Sequence, residues 1–374
     1  MLYYIKELAA PDGYVTDQEP QEFTFEYQGS GTSVAEYAFT FEDEQTTVEL
    51  SKADLTDKKE LPGASLKVTD EDGNTVDEWV SKEEAHIIKG LIVGKKYKMT
   101  ETKPADGYVT AESIEFTVEN TKEVQKHQMF DDVTKMEISK KDITDSSEVP
   151  GAKLIILDKD GKKVEGWTSK DKPNMVEKLP VGEYTLREEQ APDGYLIAED
   201  VKFTVKDTGK VQKVKMKDAH PYGKLVIKKT DSTSKAALSG AEFELREKES
   251  GKVVEKLVTD KTGTATSGKI PIATYKNGKI EKTVEYILVE TKAPNGYELS
   301  SKKEEIRFEY KDGKTKVIEI VKEIKNTKSP SGSTPTGNSP KTGDSTNIWL
   351  PILLAVLSAC GIGGVIWYKK KKGN

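Results

Sequence analysis

Three lysines in this chain stand where alternation places an apolar side chain. Val48, Leu50 and Lys52 share one parity, as do Met136, Ile138 and Lys140, and Leu225, Ile227 and Lys229. In a strand, positions i, i+2 and i+4 face the same side of the sheet, so each lysine is aimed at a core. Glutamates repeat the pattern: Tyr97, Met99 and Glu101; Tyr184, Leu186 and Glu188; Tyr286, Leu288 and Glu290; and, near the start, Tyr3, Ile5 and Glu7. A third set ends on Asp or Asn: Met129 and Asp131; Val214, Met216 and Asp218; Ile318, Ile320, Ile324 and Asn326, with Lys322 interrupting the row; and Phe39, Phe41 and Asp43. A buried ion is costly unless it is paired. One chemistry for such a trio is a buried salt bridge. The other is covalent. Desolvation favours a neutral lysine and a protonated glutamate. The amine then attacks the Asp or Asn carbonyl while the glutamate polarises it and moves protons, and water or ammonia leaves behind an isopeptide bond.

The elements that must position these residues recur. Lys6–Tyr14 (KELAAPDGY) returns at Thr100–Tyr108, Arg187–Tyr195 and Val289–Tyr297. Leu50–Ala64 (LSKADLTDKKELPGA) returns at Ile138–Ala152 and, more loosely, Ile227–Ala241. The period is longer than the roughly 20–50 residues of a solenoid, so the repeats predict tandem small domains. The expected units are residues 48–133, 134–222 and 223–328. They follow a partial unit, 1–47, which carries Glu7 and Asp43 but no donor lysine. Within units the alternation is two-residue, as in Val201, Phe203 and Val205, and Asp-Gly turns at 72–73, 160–161 and 312–313 separate the runs. No long 3.6-residue pattern appears, and the expectation is all-β, a tandem array of β-sandwiches.

Composition narrows the function. The 374 residues hold 58 Lys and Arg against 64 Asp and Glu, a net charge of −6, which argues against a nucleic-acid partner. One cysteine excludes an internal disulfide, and with three histidines it leaves few zinc ligands; no cofactor or metal is expected. Asp70-x-Asp72-Gly73 and Asp158-x-Asp160-Gly161 hint at calcium but read better as turns. Gly263–Lys269 imitates a phosphate loop only as far as Ile270, where Ser or Thr is required. His86, His127 and His220 hold non-equivalent positions and read as surface residues, and Trp79 and Trp167 read as core plugs.

With these motifs in view, the chain resembles the collagen-adhesin B-type (Cna-B) and SpaA-like pilin domains of Gram-positive surface proteins. Tyr184-Thr-Leu-Arg-Glu188-Glu-Gln-Ala-Pro192-Asp-Gly-Tyr195 matches that family's E-box. The resemblance implies immunoglobulin-like or transthyretin-like β-sandwiches closed by autocatalytic isopeptide bonds. By it, Glu101, Glu188 and Glu290 promote the reaction, Lys52, Lys140 and Lys229 donate, and Asp131, Asp218 and Asn326 accept. The first unit reads Pro104-Ala105 where the motif has Ala-Pro.

The C-terminal end adds a delivery signal. A charge-free apolar run, Ile348–Tyr368, is followed by four lysines; as a helix at about 1.5 Å per residue it would cross a hydrocarbon core of about 30 Å. A Ser/Thr/Pro/Gly linker precedes it and ends in Ser339-Pro340-Lys341-Thr342-Gly343. This layout resembles a sortase sorting signal, Leu-Pro-x-Thr-Gly plus helix plus basic stop, with Ser339 in the leucine's place. It implies a sortase and peptidoglycan as partners, cleavage after Thr342, and a membrane helix used before sorting. Met1–Glu7 lacks the pattern of an export signal, so upstream sequence is expected. The expected function is a wall-anchored stalk, adhesin-type or pilin-related, and not an enzyme beyond its self-crosslinking. A second reading has the repeats bind a host matrix protein or glycan, with the insertion around Thr264–Lys282 as the favoured place. A third makes them the anchor of an enzyme encoded upstream.

Overall fold

A computed structural model describes residues 1–31 and 33–330, and the regular structure there is all strand. The sorting motif Ser339–Gly343 and the run Ile348–Tyr368 lie outside the described residues.

Each unit is a sandwich of two sheets. In the first, Thr47–Asp54 lies between Gln125–Asp131 and His86–Lys89, and a facing sheet runs in the order Ile114–Thr117, Lys96–Lys103, Ser65–Thr69, Thr75–Val80. The alternation explains the layering. Val48, Leu50, Leu66, Val68, Tyr97, Met99, Phe116 and Met129 all turn inward and form one buried core. The second unit repeats the plan: Lys135–Asp142 lies between Asn174–Glu177 and Val211–Asp218, facing Lys163–Thr168, Lys153–Leu157, Gly182–Gln190 and Val201–Val205. In the third, Tyr222–Asp231 pairs with Val317–Asn326 on one side and with Thr264–Thr266 and Ile270–Pro271 on the other. Its additional hairpin, Ala273–Lys276 with Lys279–Thr283, comes from the inserted segment.

The first and last strands of every unit are neighbours and run parallel. Parallel neighbours require a long crossover, and here the whole intervening unit supplies it. Lys52 lies opposite Met129, so Asp131 stands two residues further along on the same face. The same offset sets Lys140 against Met216 and Asp218, and Lys229 against Ile324 and Asn326. At about 3.3 Å per residue that stagger is about 7 Å, within the span of an extended lysine.

The units are joined by the turns that close the E-box phrases. The Gly13 carbonyl accepts the Thr46 N–H, and the Gly107 carbonyl accepts that of Thr134, both at 3.0 Å. Gly107 has a positive φ of 87°, and a Cβ there would collide with the backbone of Lys178 in the next unit. At the second junction the inserted hairpin takes over. Tyr275 stacks on His220 with centroids 3.5 Å apart and donates its hydroxyl to the Gly194 carbonyl at 2.8 Å.

That placement corrects part of the histidine reading. His220 is packed in the junction, where its Nε2 lies 2.9 Å from Asp142 Oδ2, and His127 is stacked on Phe116 with burial holding its imidazole below the usual range. His86 pairs with Asp77 beside Trp79. Trp79 and Trp167 pack at the margins of their cores. Asp70 and Asp158 each accept two backbone N–H groups in their turns.

Candidate functional site

Each of the three complete units brings its lysine, glutamate and acceptor together. Lysine and acceptor come from the parallel strands of one sheet, and the glutamate reaches across from the other. Lys52 Nζ lies 2.9 Å from Glu101 Oε1 and donates to Asp131. Lys140 Nζ lies 2.9 Å from Glu188 Oε2 and donates to Asp218. Lys229 Nζ lies 2.9 Å from Glu290 Oε1 and donates to Asn326 Oδ1. All nine side chains are buried, with no acceptor more than 2% exposed.

The glutamates are fixed by local backbone. Glu101 Oε2 accepts the Ala111 N–H at 2.6 Å, Glu188 that of Ala198 at 2.7 Å, and Glu290 that of Ser300 at 2.8 Å. Each closes the loop holding the Ala-Pro-x-Gly-Tyr phrase, or its variant at Pro104-Ala105. A register shift lies beside each one, where Leu66, Leu154 and Phe243 oppose the glutamates. Such a bulge bends the strand and re-aims its side chains.

Burial dominates the electrostatics. It pushes the Asp131 and Asp218 carboxyls up to about 7, against the opposing pull of the lysine, with the neighbouring glutamate adding to the rise. It pushes the Lys229 ammonium down. A neutral acid and a neutral amine are the forms that condense, and a neutral pair is also less costly to bury than two ions. Asp131 Oδ2 and Asp218 Oδ2 have no hydrogen-bond partner among the described residues. In the third unit Asn326 Nδ2 donates to both Glu290 oxygens, at 3.0 and 3.1 Å. A carboxyl there can hand a proton to nitrogen as it departs.

A second polar contact sits beside each trio. Tyr108, the last residue of the E-box phrase, donates to Asp54 at 2.7 Å; Tyr195 donates to Asp142 at 2.7 Å, and Tyr297 to Asp231 at 2.9 Å. These aspartates lie two residues beyond the donor lysines, so the tyrosines tie the E-box loop to the lysine strand. The recurrence of Lys-x-Asp with Gly-Tyr carried that signal. In the opening segment Glu7 Oε2 accepts the Asp17 N–H at 2.6 Å, matching the other glutamates, and Asp43 Oδ1 is buried without a hydrogen-bond partner among the described residues.

The SpaA prealbumin-like fold domain matches three times, at residues 46–132, 134–220 and 223–324. The chain belongs to this family. Its domains are SpaA prealbumin-like pilin domains in tandem. Among solved structures it is similar to the Bacillus anthracis TIE protein, at 25% identity and a TM-score of 0.51, over 84% of this chain and 55% of that one. The chain therefore spans about half of the TIE protein. It is also similar to BcpA, the major pilin subunit of Bacillus cereus, at 19% identity, a TM-score of 0.45, and 76% and 99% coverage. A third is the major pilin SpaD of Corynebacterium diphtheriae, at 18% identity, a TM-score of 0.36, and 76% and 98% coverage. A search of curated proteins finds no match.

Proposed function

We propose that this SpaA-domain chain is a cell-surface stalk or pilin-related subunit of a Gram-positive bacterium, with each complete unit closed by an isopeptide bond. The observation that carries the reading is threefold: a buried lysine amine lies between a glutamate and an Asp or Asn, on parallel first and last strands, in three consecutive units. Lys52 and Lys140 attack the Asp131 and Asp218 carboxyl carbons. A C–N bond forms, the C–O bond breaks, and hydroxide leaves as water with a proton from the amine. Lys229 attacks Asn326, and the amide nitrogen leaves as ammonia. Glu101, Glu188 and Glu290 relay the protons. In the same reading a sortase cleaves after Thr342 and joins it to peptidoglycan, and the apolar run holds the precursor at the membrane until then.

Intact mass tests the covalent part. The described units together should weigh two waters and one ammonia less than their sequence, with cross-linked peptides joining Lys52 to Asp131, Lys140 to Asp218 and Lys229 to Asn326. The full sequence mass would overturn it.

A further inference from the structure

The second junction carries a cleft that the proposed stalk function does not use. It has a volume of about 790 Å³ and lies between the second and third units. Lys215 and Lys217 line it from the last strand of the second unit, and Lys314 and Lys316 from the approach to the last strand of the third. All four are exposed and form no ion pair among the described residues. By contrast Lys213, next in the same outward row, is paired with Glu137 at 2.9 Å. The cleft also holds Asp200, which Arg187 already neutralises at 2.6 Å, and Glu199. Its charge is therefore positive in a chain whose net charge is −6. The lining also includes the half-buried apolar side chains of Ile197, Ala198, Val201 and Ala219.

Two features make this more than a lysine-rich surface. The geometry is held by backbone, since the Ile197 N–H donates to the Gly313 carbonyl at 2.7 Å and the Leu196 N–H to the Ala219 carbonyl at 2.9 Å. The cleft is also specific to its junction. Counting back from the acceptors, Gln128 and Phe130 stand at the first junction where Lys215 and Lys217 stand here. There the Asp207 carboxylate accepts the Thr110 N–H and hydroxyl, at 2.9 and 2.7 Å.

We propose that this cleft binds a sulfated oligosaccharide. Lysines are mobile point charges suited to sulfate groups that vary in position, and the half-buried apolar lining suits the C–H face of a sugar ring. A bare polyphosphate would satisfy the charges and leave the apolar lining unused. This site is independent of the isopeptide reading.

The test is calorimetric titration of the full chain with a heparin-derived hexasaccharide, its fully desulfated counterpart, and a polyphosphate of similar charge. The sulfated sugar should bind, the desulfated one should not, and the polyphosphate should bind at least tenfold more weakly. K217A/K316A should weaken sulfated-sugar binding at least tenfold at unchanged melting temperature, and K215Q/K314Q should do the same. K82A/K103A, exposed lysines of the first unit, should leave it unchanged. Absence of binding, equal binding of polyphosphate, indifference to both cleft variants, or an equal loss in K82A/K103A would each overturn the proposal.

Discussion

Lys140 and Glu188 meet across the second sandwich, Nζ to Oε2, at 2.9 Å, although each belongs to a different sheet. The contact places a carboxyl from the facing sheet beside both the amine and the Asp218 acceptor. Glu188→Ala should leave Lys140 and Asp218 unlinked, so the chain regains one water. The chain-entropy expression for closing a loop of this length gives about 4.5 kcal/mol, and at the usual sensitivity of small domains that lowers the second unit's melting temperature by roughly 20–35 °C. Intact mass and calorimetry on one sample check both. An unchanged mass removes Glu188 from its role.

The acceptor carboxyls carry a pH signature that the bond should erase. Lys140→Met removes the amine and leaves Asp218 a buried acid. Burial raises its carboxyl, so the folded state holds a proton that the unfolded state releases above the ordinary aspartate value of 3.8. Stability from this group is fully present below about pH 4 and is lost as pH rises above that towards the raised folded-state value, which removal of the Lys140 ammonium pushes higher still. The slope is at most about 1.4 kcal/mol per pH unit. The linked wild type, with its carboxyl converted to an amide, should show no such slope. Urea unfolding from pH 4 to 8 checks this; parallel profiles would contradict it.

The second junction should respond to acid differently. Burial raises the Asp142 carboxyl, but hydrogen bonds from Thr144, Tyr195 and His220 outweigh it and bring it down to about 2. A depressed carboxylate stabilises the fold above its unfolded value and loses that contribution as pH falls from about 4 towards 2. Amide exchange around Tyr195 and Tyr275 should accelerate in that window. Tyr275→Ala, which removes the ring stacked on His220, should already accelerate it at neutral pH, since the stacked pair alone contributes about 1 kcal/mol to docking. Exchange unchanged in the variant would show that the hairpin does not hold the junction.

Wall attachment has a cellular readout. Thr342→Ala in the producing organism should move the protein from the fraction released by peptidoglycan hydrolase to the membrane fraction. Continued covalent linkage to wall fragments would exclude Thr342 as the joining residue.

Alternation and the two recurring phrases together pointed to the nine cluster residues, because period-two burial is a short-range property; in the third unit's last strand Lys322 interrupts the row, and the repeat carries Asn326. Lys52 breaks an apolar row, and that break is visible without a structure. Pairing across strands was less legible. Nothing local says that Gln125–Asp131 lies beside Thr47–Asp54, since parallel register is set by the packed unit between them. The bulges opposite the glutamates were invisible for the same reason. The inserted segment was read as a candidate ligand surface, yet Tyr275 and Ile280 are spent on packing against Tyr195 and Gly194 of the preceding unit. Surface chemistry and junction chemistry use the same residue types, and only docking separates them.

The parallel arrangement of first and last strands has a mechanical consequence. A chain pulled at both ends loads this pair from opposite ends, so its hydrogen bonds are sheared together rather than peeled one by one. With Lys52 joined to Asp131, the load enters at Thr47, crosses the new amide and leaves beyond Asp131. Residues between the two anchors are bypassed, and at about 3.4 Å per residue roughly 270 Å of contour in each of the first two units and roughly 330 Å in the third stays folded out of the force path. Linked in this way, a string of such units would act as a tether of nearly fixed length, unable to absorb a tug by unravelling and passing it on undiminished to whatever each end holds.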